Sequence, residues 1–494
     1  MITVWVFGDQ LNRRIGALAD ADPTTHRVLF VQSAHKIASK AWHRQRLHFY
    51  LASMRRFATE LEEAGFEVDY RVAPTMGEGL RQHVAVHRPS EVIATEPNSL
   101  NSRSLLGRLG VRTVRSNQFL CHPDDFTAFT TTRKSFKMED FYRWQRKRLG
   151  YLMSGDEPEG GAWNFDADNR LPPPKNRTWP DPPLEELDDL DREVIADLPD
   201  DAWGASPTGW WSTSRSGALA RLEHFVTTLL PDFGPYEDAM LHDDWHLAHS
   251  VLSPYLNNGL LLPGEVVERV IEAFRAGNVP INSVEGFVRQ VIGWREFIWN
   301  MYWREMPAMR SANHLAAERP LPPMFLDPSR TQMRCMSRVL NDIHERAWVH
   351  HIPRLMILGN FALTSGIHPW QFTEWMWRSF VDAAEWVMAP NVMGMSLYAD
   401  GGKVATKPYA SGGAYIDKMS DFCKGCHFDR KARVGERACP YTTLYWDFLL
   451  RHQESFVRNP RIAQQVRAAQ KLSDVDEVRA RASDVLDVLD AGSL

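Results

Sequence analysis

The stretch MITVWVFGDQL, residues 1–11, begins with a short run of β-branched and aromatic residues and ends in a Gly-Asp-Gln turn. Similar runs recur before residue 120, with segments of helical spacing between them. The strand candidates are 2–7, 28–31, 68–72, 92–94 and 111–114, and the helix candidates between them are 41–64, 80–87 and 102–109. This alternation predicts an α/β domain with a Rossmann-like, doubly wound parallel sheet over residues 1–130.

The rest of the chain has a different pattern. Residues 131–207 begin with a basic helical segment and continue into a stretch rich in Pro, Gly, Asp and Asn, including PPPK at 172–175 and PDPP at 180–183. This stretch predicts an interdomain linker. Beyond it, apolar residues recur every three or four positions over 217–230, 263–276, 284–303, 334–347, 351–364 and 371–380. Residues 208–494 are therefore predicted to form a large all-α domain.

Composition narrows the class of protein. The 494 residues include 44% hydrophobic and 24% charged residues, as in ordinary globular proteins, and no apolar run approaches the roughly 20 residues of a membrane span. The start lacks the features of a secretory signal, so we expect a cytoplasmic location. We also expect a monomer and no membrane partner. The net charge of -5 excludes a generally basic nucleic-acid-binding protein, so any DNA site must be a local patch.

Four cysteines of the helical half have the pattern of a metal site. Cys423 and Cys426 form a C-x2-C pair, Cys439 precedes a proline, and Cys335 lies far upstream. Four thiolates suit a [4Fe-4S] cluster or a structural Zn²⁺. The alternative is that the four are unrelated buried cysteines that bind no metal. The fifth, Cys121, is predicted to be a packing residue.

A basic segment is the best candidate for a DNA contact. Residues 133–148 carry seven positive charges against two negative ones, with aromatic residues between them. We assign Arg143, Arg146 and Lys147 as candidate phosphate contacts, with a solvated helix face as the alternative.

Several motifs occur together in one order. They are HSVLSPYLNNGLLLPGEVVERV at 249–270, GFVRQ at 286–290, GWREF at 293–297, HHIPRLM at 350–356 with Asn360, DAAEWV at 382–387 and PNVMGM at 390–395. In this order they resemble the iron-sulfur bacterial cryptochromes and photolyases of the photolyase/cryptochrome superfamily. That branch has one cysteine upstream of the paired histidines and three after the flavin motifs, so the resemblance favours [4Fe-4S].

The resemblance implies light-driven repair of (6-4) photoproducts in UV-damaged DNA by an electron from excited, reduced FAD. It places Tyr236, His249, Ser250, Leu252, Ser253, Leu256, Arg289, Trp294 and Glu296 around FAD, with Asp382, Asn391 and Trp375 near its isoalloxazine ring. His351 is expected to be the proton donor, positioned by His350, and Tyr409 to lie near the lesion. The alternatives are a cryptochrome-like photoreceptor without repair activity, and a non-photochemical iron-sulfur DNA-binding protein resembling a primase large subunit.

Two further sites follow from the same resemblance. Asp166 and Arg170 match an interdomain loop associated with lesion binding and a Mg²⁺ effect, although a loop this rich in Asp and Asn also suits a self-bonded turn. Gly8, Asp9 and Gln10 follow the first strand, where a 6,7-dimethyl-8-ribityllumazine antenna is expected.

The chain also departs from its relatives at three positions. Gln32 replaces a common Glu in the antenna domain, while Asp327 and Met376 replace oxidisable rings. Electron transfer to FAD is therefore expected to be broken or rerouted through Trp370, Trp377 or Trp348.

Overall fold

The computed structural model describes residues 1–175 and 177–494. Its main sheet has five parallel strands: β1 (Ile2–Trp5), β2 (His26–Ser33), β3 (Glu67–Ala73), β4 (Glu91–Thr95) and β5 (Arg112–Val114). Their order, β3-β2-β1-β4-β5, is that of a doubly wound α/β fold. The predicted parallel sheet is confirmed, and each strand overlaps its predicted segment.

Helices cover this sheet. They are Gly16–Ala19, Ala34–Ala38, Arg44–Glu63, Met76–His87 and Leu100–Leu109. In the long helix Arg44–Glu63, residues such as Phe49, Phe57 and Leu61 are buried against the sheet. Because the strands are parallel, their carboxyl ends meet at one edge, and residues 8–10 lie just beyond β1 at that edge.

The linker is largely structured. The helix Pro123–Thr131 closes the α/β domain just before it. The linker itself contains the helices Met138–Leu149 and Asp189–Ala196 and a small antiparallel pair, Met153–Ser154 with Glu157–Pro158. The helix Asp189–Ala196 packs against Arg44–Glu63, where His48 Nε2 lies 3.0 Å from Asp191 Oδ1. The linker therefore folds back onto the α/β domain.

The remainder is helical, as predicted. Its α-helices are Arg215–His224, Leu230–Tyr236, Ser253–Asn258, Pro263–Arg275, Ile281–Val288, Glu296–Glu305, Arg334–Arg346, Asn360–Ser365, Pro369–Ser379, Glu385–Ala389, Gly413–Met419, Pro440–Arg451, Gln453–Phe456, Ala463–Ala469 and Val475–Asp490. Wider π-helical turns occur at Phe225–Leu229, Arg289–Arg295, Pro353–Gly359 and Pro390–Ser396. None of the helices that the structure describes combines the length and apolar character needed to cross a membrane.

Two large apolar cores hold the molecule together. One is continuous from the sheet to the first helices of the helical half, joining Phe30 and Phe49 to Tyr255 and Phe297. The other includes Cys335, Trp375 and Phe448. The sheet and the first helices are thus packed into one body, and the predicted cysteine site lies in the other core.

Candidate functional site

Three histidines meet in the helical half. His249 lies just before the helix Ser253–Asn258, and His350 and His351 lie just before the turn Pro353–Gly359. Their ring nitrogens lie within 4.8 Å of one another. The rings of His249 and His350 are stacked with centroids 4.2 Å apart, and the His351 ring is 5.5 Å from that of His249. The structure therefore brings a predicted cofactor residue into contact with the two histidines that were predicted to be catalytic.

The three imidazoles are in different environments. Burial, together with the neighbouring imidazoles, holds the pKa values of His249 and His350 well below the usual range, so both are neutral at pH 7. His351 is 47% exposed, and its Nε2 lies 3.6 Å from Asp238 Oδ1. His351 is thus the member of the cluster that can meet an incoming base and that has a carboxylate partner.

An ionic network borders this cluster. Arg289 pairs with Asp166, and its guanidinium also lies 3.9 Å from Glu237 Oε1 and 3.5 Å from Glu285 Oε1. Asp166 lies 3.5 Å from Arg170. The predicted flavin residue Arg289 is therefore joined directly to the predicted lesion loop.

Glu237 contributes an unusual charge state to this network. Burial raises its pKa to about 8, against the opposing effect of Arg289. The Glu237 carbonyl oxygen lies 3.1 Å from His249 Nε2. A protonated carboxyl group at neutral pH therefore lies next to the histidine cluster.

Two tyrosines face the same region. Burial raises the pKa of Tyr409, and the charges of Arg170 and Asp166 act on its hydroxyl. Burial and the nearby Asp238 raise the pKa of Tyr415. Both phenols remain protonated donors at neutral pH. Tyr409 was predicted, whereas Tyr415 and Asp238 were missed.

The predicted lesion loop, residues 163–170, is held in place by Asn169, which is buried. Its side-chain amide donates to Asn282 O at 3.1 Å and accepts from Asn282 Nδ2 at 3.0 Å. A Cβ at Gly286 would lie 2.7 Å from Asn169 Nδ2, so this close approach needs glycine. The GFVRQ motif at 286–290 therefore provides both the space for Asn169 and the arginine that holds Asp166.

Asp382 is the centre of a second network. It accepts from Arg354 at 3.1 and 2.9 Å and from Ser253 Oγ at 2.7 Å. Trp348 Nε1 donates to the same Ser253 hydroxyl at 3.3 Å. Arg46, from the α/β domain, donates to the carbonyl oxygens of 380 and 381 at 3.2 Å each. This network joins the Leu-Ser-Pro segment at 252–254 (the LSP motif), the 382–387 motif and the sheet domain.

Five other predicted cofactor residues lie nearby in the fold. Leu252 and Leu256 are buried, Ser250 Oγ accepts from Leu252 N at 3.4 Å, and the Tyr236 ring lies 5.6 Å from that of Trp179. Asn391 Nδ2 donates to Val387 O at 2.8 Å within its own helical segment.

Glu296 and Trp294 lie in a different setting. Burial raises the pKa of Glu296 to about 7, and its carboxylate accepts from Cys121 N at 2.8 Å and from Arg295 Nη1 at 3.2 Å. Trp294 is partly exposed, with its ring 6.5 Å from that of Phe297. In the structure the hydrogen bond from Cys121 N to Glu296 ties the helical half to the end of the α/β domain.

The tryptophans expected to carry electrons lie in different surroundings. Trp375 is buried and donates to Phe325 O at 3.0 Å, Met376 is buried beside it, and Asp327 caps a surface turn by accepting from Ser329 N at 3.1 Å. Of the alternatives, the Trp377 ring lies 6.1 Å from Trp42, and Arg310 lies 5.9 Å from Trp370.

Trp348 has the most direct connection to the flavin motifs. Besides its bond to Ser253, its ring lies 5.6 Å from Trp245, which lies 5.3 Å from the partly exposed Trp210. Three rings at short intervals thus lead from the LSP motif toward solvent.

The four cysteines line one shared cavity. Cys335 lies in the first turn of Arg334–Arg346, and Cys439 directly precedes the helix Pro440–Arg451. Gly425 adopts φ +71 between Cys423 and Cys426, a left-handed conformation that closes the C-x2-C turn. Burial and the proximity of the other three thiols raise the pKa of Cys335. The structure therefore brings the four predicted metal-ligand cysteines together.

The distances between the cysteine sulfur atoms can be compared with those that a single Zn²⁺ requires. A single Zn²⁺ with Zn–S bonds of about 2.3 Å would hold its thiolates about 3.8 Å apart. Over residues 1–175 and 177–494, groups of three ligand atoms within 4.8 Å of one another occur at two histidine clusters but not at the cysteines. Thiolates that each bind a different iron of a cluster can lie further apart. Among the described residues, no three of the cysteine sulfurs are therefore as close together as the ligands of one Zn²⁺.

The basic helix Met138–Leu149 divides into two faces. Arg143 and Lys147 are exposed, and their charged groups lie 5.8 and 5.6 Å from the Trp163 ring. Arg146 is fully buried and donates to Trp163 O at 3.2 Å and to Leu152 O. The assignment of Arg146 as a phosphate contact is wrong, because its guanidinium satisfies backbone carbonyls inside the protein.

The predicted antenna residues lie together beyond β1. Gln118 Nε2 donates to Asp9 O at 2.7 Å, and Gln10 Nε2 donates to Glu96 O at 2.8 Å. Burial raises the pKa of Asp9. Gln32 is buried and accepts from Tyr70 OH at 3.0 Å. Gly8 precedes Asp9 at this same edge of the sheet.

Known proteins resemble this chain along its length. A family described as deoxyribodipyrimidine photo-lyase-related protein matches residues 4–206. A (6-4) photolyase of Agrobacterium fabrum (strain C58 / ATCC 33970) is 38% identical over 504 aligned residues, covering 99% of each chain. This chain belongs to the bacterial (6-4) photolyase family. The family membership indicated by the motifs is confirmed.

Solved structures show that this photolyase family member shares its fold with known relatives. A bacterial class III photolyase from Agrobacterium tumefaciens matches with a TM-score of 0.57 at 16% identity, over 83% of this chain and 81% of that one. A cryptochrome from Synechocystis sp. PCC6803 matches with a TM-score of 0.56 at 14% identity, over 98% of each chain. The predicted combination of a parallel sheet with a helical half is confirmed.

Proposed function

We propose that this photolyase family member repairs (6-4) pyrimidine-pyrimidone photoproducts in DNA under light. The observation that carries the proposal is the histidine cluster, in which His351 alone is exposed and faces Asp238. The lesion loop, Tyr409 and Tyr415 border the same region. The activity named for the Agrobacterium fabrum relative, identical at 38% of positions over the whole chain, supports the same assignment.

The donor set of the site fits FAD. Arg289 Nε and Glu237 Oε2 are buried polar atoms without a hydrogen-bond partner in the part of the chain described. Such atoms suit a polar ligand, because leaving them unpaired costs free energy. We therefore assign FAD to the helical half, near Arg289, Ser253 and Asp382. When bound, FAD supplies the light-driven electron transfer that this reaction needs.

The protein's own groups position a flipped-out base and manage its proton. His351 Nε2 is assigned as the proton donor to the lesion hydroxyl, because histidine is a common general acid and this ring is open to solvent. His350 and His249 are neutral, so they orient His351 through ring packing without adding charge. Tyr409 and Tyr415 offer protonated hydroxyls to the extruded nucleotide.

DNA would approach along the basic helix. Arg143 and Lys147 are exposed there for phosphate contacts, and Asn164, on the adjoining loop, donates to Glu139 Oε1 on this helix at 3.0 Å. The loop then reaches Asp166 and Arg170, where an acidic group beside the DNA phosphates would account for a Mg²⁺ effect.

Two further groups complete the proposal. We assign a [4Fe-4S] cluster to Cys335, Cys423, Cys426 and Cys439, where it would provide structural support or redox exchange. We assign a ribityllumazine antenna to the site at residues 8–10, since Gln10 Oε1 and Asn98 Oδ1 are buried there without partners among the described residues.

The test is a repair assay on a defined substrate. Purified, chemically reduced protein is illuminated with blue light in the presence of an oligonucleotide carrying one (6-4) photoproduct, and the nucleosides are separated by chromatography. We expect intact pyrimidines to appear only in the light. An oligonucleotide with a cyclobutane dimer is the matched control for lesion class, and a dark sample controls for chemical reversal. Unchanged lesion from protein with bound, reduced flavin would refute repair.

A cryptochrome-like photoreceptor is the second candidate. Met376 and Asp327 stand where relatives carry oxidisable rings, and this difference favours altered photochemistry. In that case, light would change flavin absorbance reversibly without altering the lesion. The same illuminated sample therefore separates the two functions.

A further inference from the structure

A separate group of histidine and carboxylate side chains lies in the α/β domain. Asp69 is on β3, and His83 and His87 are one turn apart on the helix Met76–His87. Asp69 Oδ2 lies 2.6 Å from His83 Nδ1 and 3.2 Å from His87 Nε2. All three ligand atoms lie within 4.8 Å of one another.

These three residues match a ligand set for divalent transition ions. Two imidazoles and one carboxylate bind Zn²⁺ and non-haem iron at protein sites with open positions. Metal–ligand bonds of about 2.0–2.2 Å place ligand atoms about 3.0–3.5 Å apart. The observed separations are close to this range, so binding needs only a small opening between Asp69 and His83.

The three candidate ligands also contact neighbouring polar side chains. His83 Nε2 lies 2.8 Å from Thr3 Oγ1 on β1, and His87 Nδ1 lies 4.0 Å from Glu67 Oε1. His83 thus turns one nitrogen to Asp69 and hydrogen-bonds the other to Thr3, which orients its ring, whereas His87 Nδ1 is only within ion-pair distance of Glu67. Arg71 Nε donates to the same Asp69 Oδ2 at 2.6 Å, so this bond must shift to leave that oxygen free for an ion.

Access is available from one side. The side chain of His83 is buried, whereas that of His87 is 21% exposed. An ion can therefore enter beside His87 and retain water at its open positions. Since β3 is at the edge of the sheet, a bound ion would fasten that edge strand to the helix covering it.

We propose that Asp69, His83 and His87 form a binding site for one divalent first-row transition ion, with Zn²⁺ as the probe. This site is distinct from the cysteine and histidine sites of the helical half. It would stabilise the α/β domain, because an ion that binds only the folded state shifts the unfolding equilibrium.

The test uses the full-length holoprotein after removal of loose metal with a chelator. Equilibrium dialysis against micromolar Zn²⁺ is followed by elemental analysis, with iron measured in the same sample to show that zinc has not displaced a cluster. We expect one zinc per chain, an affinity at least roughly tenfold lower in His87→Ala and in Asp69→Asn, and a higher melting temperature with Zn²⁺ for the wild type.

Two variants serve as controls. His35→Ala removes an exposed histidine of the same domain and should leave zinc binding unchanged. His351→Ala removes a ligand of the other histidine cluster and should also retain the zinc. His87 is partly exposed, so its variant is expected to fold. Zinc binding that persists in His87→Ala, is lost only in His351→Ala, or is absent from the wild type would overturn the proposal.

Discussion

Replacing Asp382 with Asn tests the network that links the LSP motif to the rest of the flavin site. Asp382 accepts from Arg354 at 3.1 and 2.9 Å and from Ser253 at 2.7 Å. Asparagine keeps the shape but removes the charge and one acceptor oxygen. Breaking a buried ion pair costs about 3–5 kcal/mol, because the partner charge remains buried. Arg354 is partly exposed, so we expect about 3 kcal/mol.

The consequence is measurable in two ways. For a chain or domain of this size, that loss lowers the melting temperature by roughly 3–5 °C in calorimetry. Because Ser253 and Arg354 lose the carboxylate charge and share one remaining acceptor oxygen, we also expect less flavin per chain after identical purification. The matched control is Asp191→Asn, which breaks a buried pair with Arg56 on the sheet side and should lower stability without lowering flavin content. Wild-type flavin content in Asp382→Asn would refute the assignment.

Three further predictions concern repair, pH and photoreduction. His351→Asn should lower the repair rate by roughly 10²–10⁴-fold with unchanged flavin content, since the side chain is half exposed; near wild-type repair would contradict its role as proton donor. Glu237 keeps its proton to about pH 8 in the folded state, against 4.5 for an ordinary Glu. Stability should therefore fall, by at most about 1.4 kcal/mol per unit, as pH rises through this window, and Glu237→Gln should flatten the profile in denaturant titrations. Trp348→Phe should slow flavin photoreduction under blue light while sparing repair by chemically reduced protein; unchanged photoreduction would exclude this route.

Much of the fold could be predicted because its pattern is local. The five strands and the long helices follow from alternating or helical spacing of apolar residues, and the observed bounds differ from the predicted ones mainly at the ends. The helix Asp189–Ala196 was missed, since its surroundings are rich in Pro and Asp. It is fixed by contacts with a distant helix, which spacing along the chain does not show.

The site was only partly predictable because its members are distant in sequence. Motif order gave His249, His351 and Tyr409, but not the ring contact between His249 and His350 or the approach of Asp238. Arg146 was assigned to DNA because charge counts along a helix do not reveal which face is buried. Arg146 lies four residues after the aromatic Tyr142 and therefore on the same face of the helix. This spacing was the one signal in the sequence that Arg146 faces the protein interior.

The group formed by Asp69, His83 and His87 was also not predicted, because its members come from different elements. His83 and His87 have the i, i+4 spacing of a ligand pair, but their carboxylate comes from β3, so the sequence alone did not identify the site.

The central claim is that the helical half holds a flavin beside the histidine cluster and iron between the four cysteines. The most direct measurement is the amount of FAD and iron per chain in protein purified without oxygen, from the absorbance near 450 nm and from elemental analysis. The account predicts one FAD and four iron atoms per chain. A colourless protein that contains neither group would contradict it.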